Sequence, residues 1–109
     1  MNINTQINQD SIILDFKNLV RKRLKGRILI LKLFGSRARG ENDEYSDYDF
    51  LVVVDKKEKD FKEKLIDISV EILNKYDKLV GFILWDEEEW QWKKNLPIGL
   101  NILKEGIEL

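Results

Sequence analysis

Two short pairs of residues in this sequence could do chemistry, and ten residues separate them. Gly35-Ser36 ends one hydrophobic run, while Asp47 and Asp49 open the next. In an extended strand both aspartates face the same side, with α-carbons about 6.5–7 Å apart. Carboxylates at that spacing repel each other unless a cation lies between them. Because Mg²⁺ prefers oxygen ligands, and often takes one or two carboxylates together with substrate phosphates, the pair predicts a magnesium site.

The Gly-Ser pair and the arginines after it could bind phosphate. A glycine at a strand end lets the backbone approach a ligand closely, and a helical turn starting at Ser36 would aim free N–H groups at an anion. Arg37 and Arg39 are candidates for binding polyphosphate oxygens. Each feature alone is typical of an ordinary turn, strand cap or surface charge. Their combination favours a nucleoside triphosphate bridged by Mg²⁺, and two such ions could stabilise both oxygens of a phosphoryl displacement.

The elements that must position these residues follow from hydrophobic spacing. Helical periodicity covers residues 8–25, with Asp10 or Ser11 as its cap, and residues 59–76. Continuous apolar runs predict strands over residues 27–34, 47–54 and 78–85. Two short helices over 86–94 and 97–104 and a small edge strand near 107–109 complete the chain. The order predicts an α/β (α+β) fold, a small mixed β-sheet with helices packed on it, in one domain over residues 1–109.

Composition excludes several classes of site and partner. The sequence has no cysteine and no histidine, which rules out disulfides, Cys/His zinc sites and histidine-based catalysis. Its net charge of −1 lacks the basic excess of a nucleic-acid-binding surface. The first ten residues do not have a secretory pattern, and the apolar runs are too short to span a bilayer. We therefore expect a cytoplasmic protein without a membrane or nucleic-acid partner.

The motif sequences resemble a known family. "GSRARG" at 35–40 and "SDYDFLVV" at 46–53 are similar to the signature of the nucleotidyltransferase superfamily that includes DNA polymerase β, and most of all to its minimal members, the MNT-domain proteins. The resemblance covers most of the chain. It implies that Gly35 and Ser36 bind the triphosphate and that Asp47 and Asp49 bind metal. Arg37 and Arg39 also match the pattern.

One departure from that family concerns catalysis. Its members commonly carry a third carboxylate on a later strand, where it can bind metal and act as general base. The corresponding strand here, residues 79–85, contains no acidic residue. Asp77 precedes it and Asp86 follows it, so Asp86 is the candidate for the third carboxylate, with a helix N-cap as its alternative role. Metal and nucleotide binding are thus better supported than turnover.

The resemblance implies a reaction and a partner. It indicates a Mg-dependent transfer of AMP from ATP to a hydroxyl, often a tyrosine, of a separate HEPN-domain protein, with this chain as the antitoxin of a toxin–antitoxin pair. One alternative is a binding module that neutralises its partner by contact, with a vestigial nucleotide site. Another is transfer to a small molecule, although such relatives usually carry an extra acceptor domain. The sequence leaves a homo-oligomer open.

The three tryptophans late in the chain raise the question of a partner surface. Trp85 ends a predicted strand and is expected in the core. Trp90 and Trp92 are two residues apart on a predicted helix, so they cannot both face one core. We expect one of them to be exposed, as an aromatic on a partner surface would be.

Overall fold

The computed structural model describes residues 7–109 and contains a four-stranded sheet with helices on both faces. Its strands are β1 (Ile28–Phe34), β2 (Tyr48–Val54), β3 (Val80–Asp86) and β4 (Ile107–Glu108), in the order β3-β2-β1-β4. β1 is antiparallel to β2 and to β4, whereas β2 and β3 are parallel. This arrangement confirms the predicted mixed sheet and places β4, the expected edge strand, beside β1.

The helices are α1 (Ser11–Arg23), α2 (Ser36–Arg39), α3 (Phe61–Tyr76), α4 (Glu87–Lys93) and α5 (Pro97–Glu105). The predicted first helix began at residue 8, but the structure interrupts it at Asp10, whose backbone is extended (φ −78°, ψ 114°). The Asp10 carboxylate accepts hydrogen bonds from the amides of Ile12 and Ile13 and so caps α1. No helix among residues 7–109 has the length and apolar character needed to cross a membrane.

Strand β2 runs through the middle of the protein, and its alternating side chains serve two cores. Those of Tyr48, Phe50, Val52 and Val54 pack with α1 and α3 on one face. Leu51 and Val53 pack on the other face with residues of α4 and α5, including Trp90 and Ile102. Because side chains alternate along a strand, Asp49 belongs to the same face as Leu51 and Val53, the face that α4 and α5 cover only in part.

Strand register brings the motif residues to one end of the sheet. Phe34, the last residue of β1, pairs with Asp49 of β2, and Asp49 pairs in turn with Gly81 of β3. Gly35 follows Phe34 directly and therefore lies beside the Asp49 carboxylate. The sheet thus positions the Gly-Ser turn and the acidic pair without help from a long loop.

The end of the chain forms a small second layer on the Asp49 face. Asp86 caps α4 through a capping box, and Pro97 occupies the first turn of α5. The rings of Trp85 and Trp90 stack with centroids 6.0 Å apart, and both residues are buried. Trp92 is 55% exposed. The expectation that Trp90 and Trp92 would differ in exposure is confirmed.

Candidate functional site

The Gly-Ser turn and the acidic pair meet at close range. Gly35 has φ +78° and ψ −162°, a conformation essentially reserved for glycine. A Cβ placed on it would lie only 2.6 Å from Oδ2 of Asp49. Asp47 is exposed just ahead of β2, and Asp49 is half-buried at its start. The sequence suggested that the Gly35 backbone lies close to a ligand. In the structure it also lies close to the Asp49 carboxylate.

The two carboxylates have no direct polar partner among residues 7–109. Within residues 7–109, neither Asp47 nor Asp49 accepts a hydrogen bond or forms an ion pair, although many other acidic side chains do. Burial raises the pKa of Asp49 above its usual value, the charge of Asp47 raises it further, and Arg39 opposes both effects. Two neighbouring hard-oxygen donors with no ion pair among the described residues fit Mg²⁺ that is bound partly by carboxylates and partly by phosphate oxygens.

These electrostatics predict how Asp49 titrates in the metal-free protein. We expect its carboxyl to titrate above the ordinary aspartate value of 3.8, because burial and Asp47 both disfavour its charged form. Asp47→Asn should lower that pKa, and Arg39→Ala should raise it. Carboxyl ¹³C NMR across the acidic range measures all three. An unchanged Asp49 pKa in Asp47→Asn would mean that the two carboxylates do not interact.

The structure corrects the prediction for Asp86. This residue pairs with Val54 at the far end of β2, five positions along the parallel ladder from the Asp49–Gly81 pair. At about 3.3 Å per residue, the separation is roughly 16 Å. The Asp86 carboxylate instead accepts a hydrogen bond from the Glu89 amide at 2.8 Å. Its role is the N-cap, and the position on β3 level with Asp49 holds Gly81, which has no side chain.

The first turn of α2 presents unused backbone donors near Asp49. Gly35 O accepts hydrogen bonds from the amides of Ala38 and Arg39. The amides of Ser36 and Arg37 donate no hydrogen bond within the described part of the chain. Together with the Ser36 hydroxyl, they are available to phosphate oxygens, and phosphate binding by this turn stays a prediction.

Arg37 has a different role from the predicted contact with nucleotide. Its side chain is buried, and its Nε and Nη2 donate to the carbonyl oxygen of Ser46 at 3.0 and 2.9 Å. Nη2 also reaches the carbonyl of Asp43 at 3.3 Å, and the guanidinium stacks over the Tyr48 ring at 3.9 Å. Arg37 is thus a positioning residue that holds the loop in front of Asp47, and its guanidinium is not free for phosphate.

The Arg37 tether continues into the core through Tyr48. The Tyr48 hydroxyl donates to Oδ2 of Asp10 at 2.7 Å, so the residue that caps α1 also anchors the start of β2. Burial and the Asp10 carboxylate both raise the pKa of Tyr48, which keeps its hydroxyl protonated and donating. The start of β2, between Asp47 and Asp49, is therefore anchored through Tyr48 on the face of the sheet opposite Asp49.

Replacing Arg37 with lysine should destabilise the protein although the charge is kept. Lysine cannot reproduce the planar stack on Tyr48 or the paired bonds to Ser46 O. We expect a loss of about 1–3 kcal/mol, because buried carbonyl groups lose their donors. Urea unfolding measures the loss. Arg39→Lys is the matched control, and its effect should be much smaller because Arg39 is exposed; equal effects would contradict the positioning role.

Arg39 lies at the mouth of an open cavity on the Asp49 face. It pairs with Glu41 and with Glu105 at 3.0 Å each, and exposed pairs of this kind contribute little to stability. Its guanidinium can therefore move to a ligand at small cost. The cavity, of about 400 Å³, is lined by Phe34, Gly35, Arg39, Ile98, Asn101, Ile102 and Glu105.

Sequence reasoning missed the contributions of three elements to this site. The cavity residues on α5 carry no motif, and only the packing of α5 onto the sheet brings them to Gly35. Gly81 has no functional group, so nothing in the sequence marks it. The structural role of Arg37 has only a weak signal in the sequence, its place within the motif. The carbonyl groups that it binds, those of Asp43 and Ser46, belong to the loop and are not marked by residue type.

Comparisons with known proteins show the family to which this chain is similar. The model of a family described as "nucleotidyltransferase domain" matches residues 14–104. A protein of Methanocaldococcus jannaschii with the assigned name "putative protein adenylyltransferase" is 37% identical over 100 residues, which is 92% of this chain and 96% of that one. A second protein with the same assigned name, from the same organism, is 40% identical over 78 residues, covering 68% and 76% of the two chains.

Solved structures share the fold at low sequence identity. The crystal structure of a toxin–antitoxin with AMP-PNP aligns with a TM-score of 0.56 and 16% identity, over 86% of this chain and 69% of that one. The structure of a mutant of the toxin–antitoxin MntA-HpeT aligns with a TM-score of 0.52 and 17% identity, over 100% and 72% of the two chains. At these identities the likeness concerns the fold.

Proposed function

This chain belongs to the nucleotidyltransferase domain family, and we propose that it transfers AMP from Mg-ATP to a hydroxyl of a partner protein in the cytoplasm. The observation that supports the proposal is the close approach of the Gly35 turn to the Asp49 carboxylate, the two groups proposed to bind phosphate and metal. The relatives named as protein adenylyltransferases support AMP as the transferred group and a protein as the acceptor.

In this proposal the motif residues divide the binding of triphosphate and metal between them. The amides of Ser36 and Arg37 and the Ser36 hydroxyl bind the β- and γ-phosphates, while Asp47 and Asp49 hold two Mg²⁺ ions. The ions would neutralise charge on the α-phosphate and on the leaving pyrophosphate. The acceptor oxygen forms a bond to the α-phosphorus as the bond from that phosphorus to the bridging oxygen breaks. Pyrophosphate leaves, and the hydroxyl proton passes to solvent.

The cavity beside Gly35 would receive the nucleoside. It begins at the proposed phosphate-binding turn, and its walls combine the apolar side chains of Phe34 and Ile98 with the amide of Asn101. Such a mixture of apolar surface and few polar groups is typical of small-molecule sites. Arg39, which opens onto the same cavity, would leave Glu105 and offset phosphate charge.

The acceptor would approach over α4 and α5. These helices lie on the Asp49 face, and large apolar side chains on them and on the turn between them face solvent: Trp92, Leu96, Leu100 and Leu103. Leu100 and Leu103 lie on the side of α5 that faces away from the cavity, and exposed apolar groups of this kind are typical of a protein-binding surface. We propose that a HEPN-domain toxin binds there and presents a hydroxyl, such as that of a tyrosine, to the site. This chain would then act as its antitoxin, in line with the toxin–antitoxin structures that share its fold.

The experiment is a transfer assay with labelled ATP, Mg²⁺ and the protein encoded beside this one. Label on the partner, lost when EDTA removes metal and mapped to a defined hydroxyl residue by mass spectrometry, supports the proposal. Leu100→Lys with Leu103→Lys should weaken transfer without weakening ATP binding. Absence of label with Mg²⁺ and with Mn²⁺ would rule out the transfer reaction.

A second function is favoured by one observation, the glycine at position 81. With Gly81 level with Asp49, β3 places no carboxylate beside the acidic pair to take the acceptor proton, and residues 7–109 hold no cluster of three acidic side chains placed to bind metal. In this alternative the chain binds nucleotide and neutralises the toxin by contact alone. Toxin neutralisation by a variant that cannot bind metal separates the two functions.

A further inference from the structure

The outer edge of β3 and the adjoining flank of α3 form a surface that the proposed site does not use. It is apolar from Leu79 to Phe82, and toward Leu84 it is bordered by the charged side chains of Lys57, Glu58 and Lys62. β3 ends the strand order, and its stretch from Val80 to Trp85 contains neither a charged residue nor a proline. Among the described residues, no further strand pairs with it. Natural proteins protect such edges with charges, proline, bulges or a covering element. Because no element within residues 7–109 covers this edge, we infer that another chain covers it.

The backbone of β3 is set for strand addition. The carbonyl of Leu79 accepts a hydrogen bond from the Tyr48 amide at 3.1 Å, so Leu79 turns its backbone toward β2. Because this direction alternates along a strand, the N–H and C=O groups of Val80, Phe82 and Leu84 point away from the sheet. These residues can each exchange hydrogen bonds with an added strand.

The helix beside this edge supplies a second, side-chain component. Ile66 and Val70 on α3 are 44% and 47% exposed, and Leu79 just before β3 is 59% exposed. A groove of about 290 Å³ joins helix and strand, and these three side chains line it together with Phe82. An extended peptide would pair with β3 but leave the helical stripe uncovered. The occupant must therefore present both a strand and a helix.

We propose that this surface binds a second copy of the chain across a twofold axis at Phe82. The β3 strands then pair antiparallel into one continuous sheet, and the two α3 helices pack side by side. Phe82 lies opposite Phe82 of the partner subunit, and Val80 lies opposite Leu84 of the partner subunit. All of these are residues with outward backbone groups, and a twofold interface of this kind uses the same surface on both copies.

Charge complementarity supports the antiparallel pairing and its register. Lys78 precedes β3 and Asp86 ends it, with no other charge between them. In the proposed register Lys78, whose ammonium donates to the carbonyl oxygen of Glu44, lies opposite Asp86 of the partner subunit, at both ends of the interface. The Asp86 Oδ1 atom caps α4, so Oδ2 is left for this ion pair. A parallel pairing would instead oppose like charges, which is unfavourable.

The dimer would border the proposed site without depending on it. Gly81, beside Asp49, lies opposite Ile83 of the partner subunit in this register. The side chain of Ile83 of the partner subunit would therefore cover the open side of the Asp49 site. The α4 and α5 surface is on other elements and stays free for the acceptor.

The test is the oligomeric state of the full chain by light scattering coupled to size-exclusion chromatography. We expect a mass of twice 13.0 kDa for the wild type. Ile66→Lys with Val70→Lys should raise the dimer dissociation constant about a hundredfold, since two lysines would enter an apolar interface. Leu100→Lys with Leu103→Lys, of similar exposure on α5, should leave it unchanged. A monomeric wild type, or a dimer that tolerates the α3 lysines, overturns the proposal.

The register is tested by cross-linking, because the chain has no cysteine of its own. In Phe82→Cys, and in the more exposed variant Val70→Cys, a short bismaleimide should cross-link the introduced cysteine to the same cysteine of the partner subunit. Leu103→Cys should not be joined. If only Leu103→Cys were cross-linked, the dimer interface would be on α5, and the proposed pairing of β3 strands would be wrong. If the protein dimerises as proposed but transfers no AMP in the labelled-ATP assay, that result would count only against the proposed function.

Discussion

Replacing Gly35 with alanine is expected to lower AMP transfer about a hundredfold or more, the scale of loss that a displacement of about 1 Å in a catalytic site can cause. The new Cβ would lie 2.6 Å from Oδ2 of Asp49, so either the carboxylate or the phosphate-binding turn must move. The backbone adds to the effect, because φ +78° with ψ −162° is strained for alanine by about 1–3 kcal/mol. ATP binding by calorimetry and label transfer measure the loss.

Gly26→Ala separates backbone strain from the contact with Asp49. Gly26 also has a positive φ, +76°, but nothing lies within 4 Å of its added Cβ. This control should lose some stability in urea unfolding and keep its transfer rate. If both variants lost transfer to the same extent, strain alone would account for the effect, and the Gly35–Asp49 contact would have no role of its own.

Asp49→Asn is expected to reduce transfer roughly a thousandfold, because one of the two anionic ligands for Mg²⁺ is lost. The same change should raise the melting temperature of the metal-free protein slightly. Burial and Asp47 raise the folded-state pKa of Asp49, so its charged form destabilises the fold at every pH above the unfolded value, and asparagine removes that cost. Lower activity with equal or higher stability is the signature of a functional residue.

Asp86→Ala is the matched control for Asp49→Asn. It removes the N-cap of α4 and should cost about 1 kcal/mol of stability. Transfer by the folded variant should persist, because Asp86 lies at the other end of β3. If Asp86→Ala folded normally but lost transfer as completely as Asp49→Asn, the placement of Asp86 outside the site would be wrong.

The Asp49 variant also decides between the two proposed functions. A chain that must modify its partner loses toxin neutralisation together with transfer. A chain that acts by contact keeps neutralisation in Asp49→Asn and loses it in the Leu100→Lys, Leu103→Lys variant. A growth-rescue assay with the toxin expressed alone, with the wild type and with each variant gives this result directly.

The sequence by itself determined the elements and the motif. Helical and strand periodicity reflect which face of each element is buried, and that information is local, so the mixed sheet was predictable. The alternation along β2 placed Asp49 on one face, and glycine at position 35 signalled a conformation that other residues avoid. The family resemblance indicated that the Gly-Ser turn and the two aspartates belong to one site. The match to the nucleotidyltransferase domain model confirmed the family.

Only the tertiary structure decided which residues share the site. Asp86 and Gly81 lie on the same short strand, and a sequence cannot show which of them is level with Asp49, because strand register depends on how β2 and β3 pair. Arg37 and Arg39 look equivalent in the motif, yet packing buries one over Tyr48 and leaves the other at a cavity mouth. Register and burial arise from contacts between distant segments, and this is the physical reason that the sequence alone left them open.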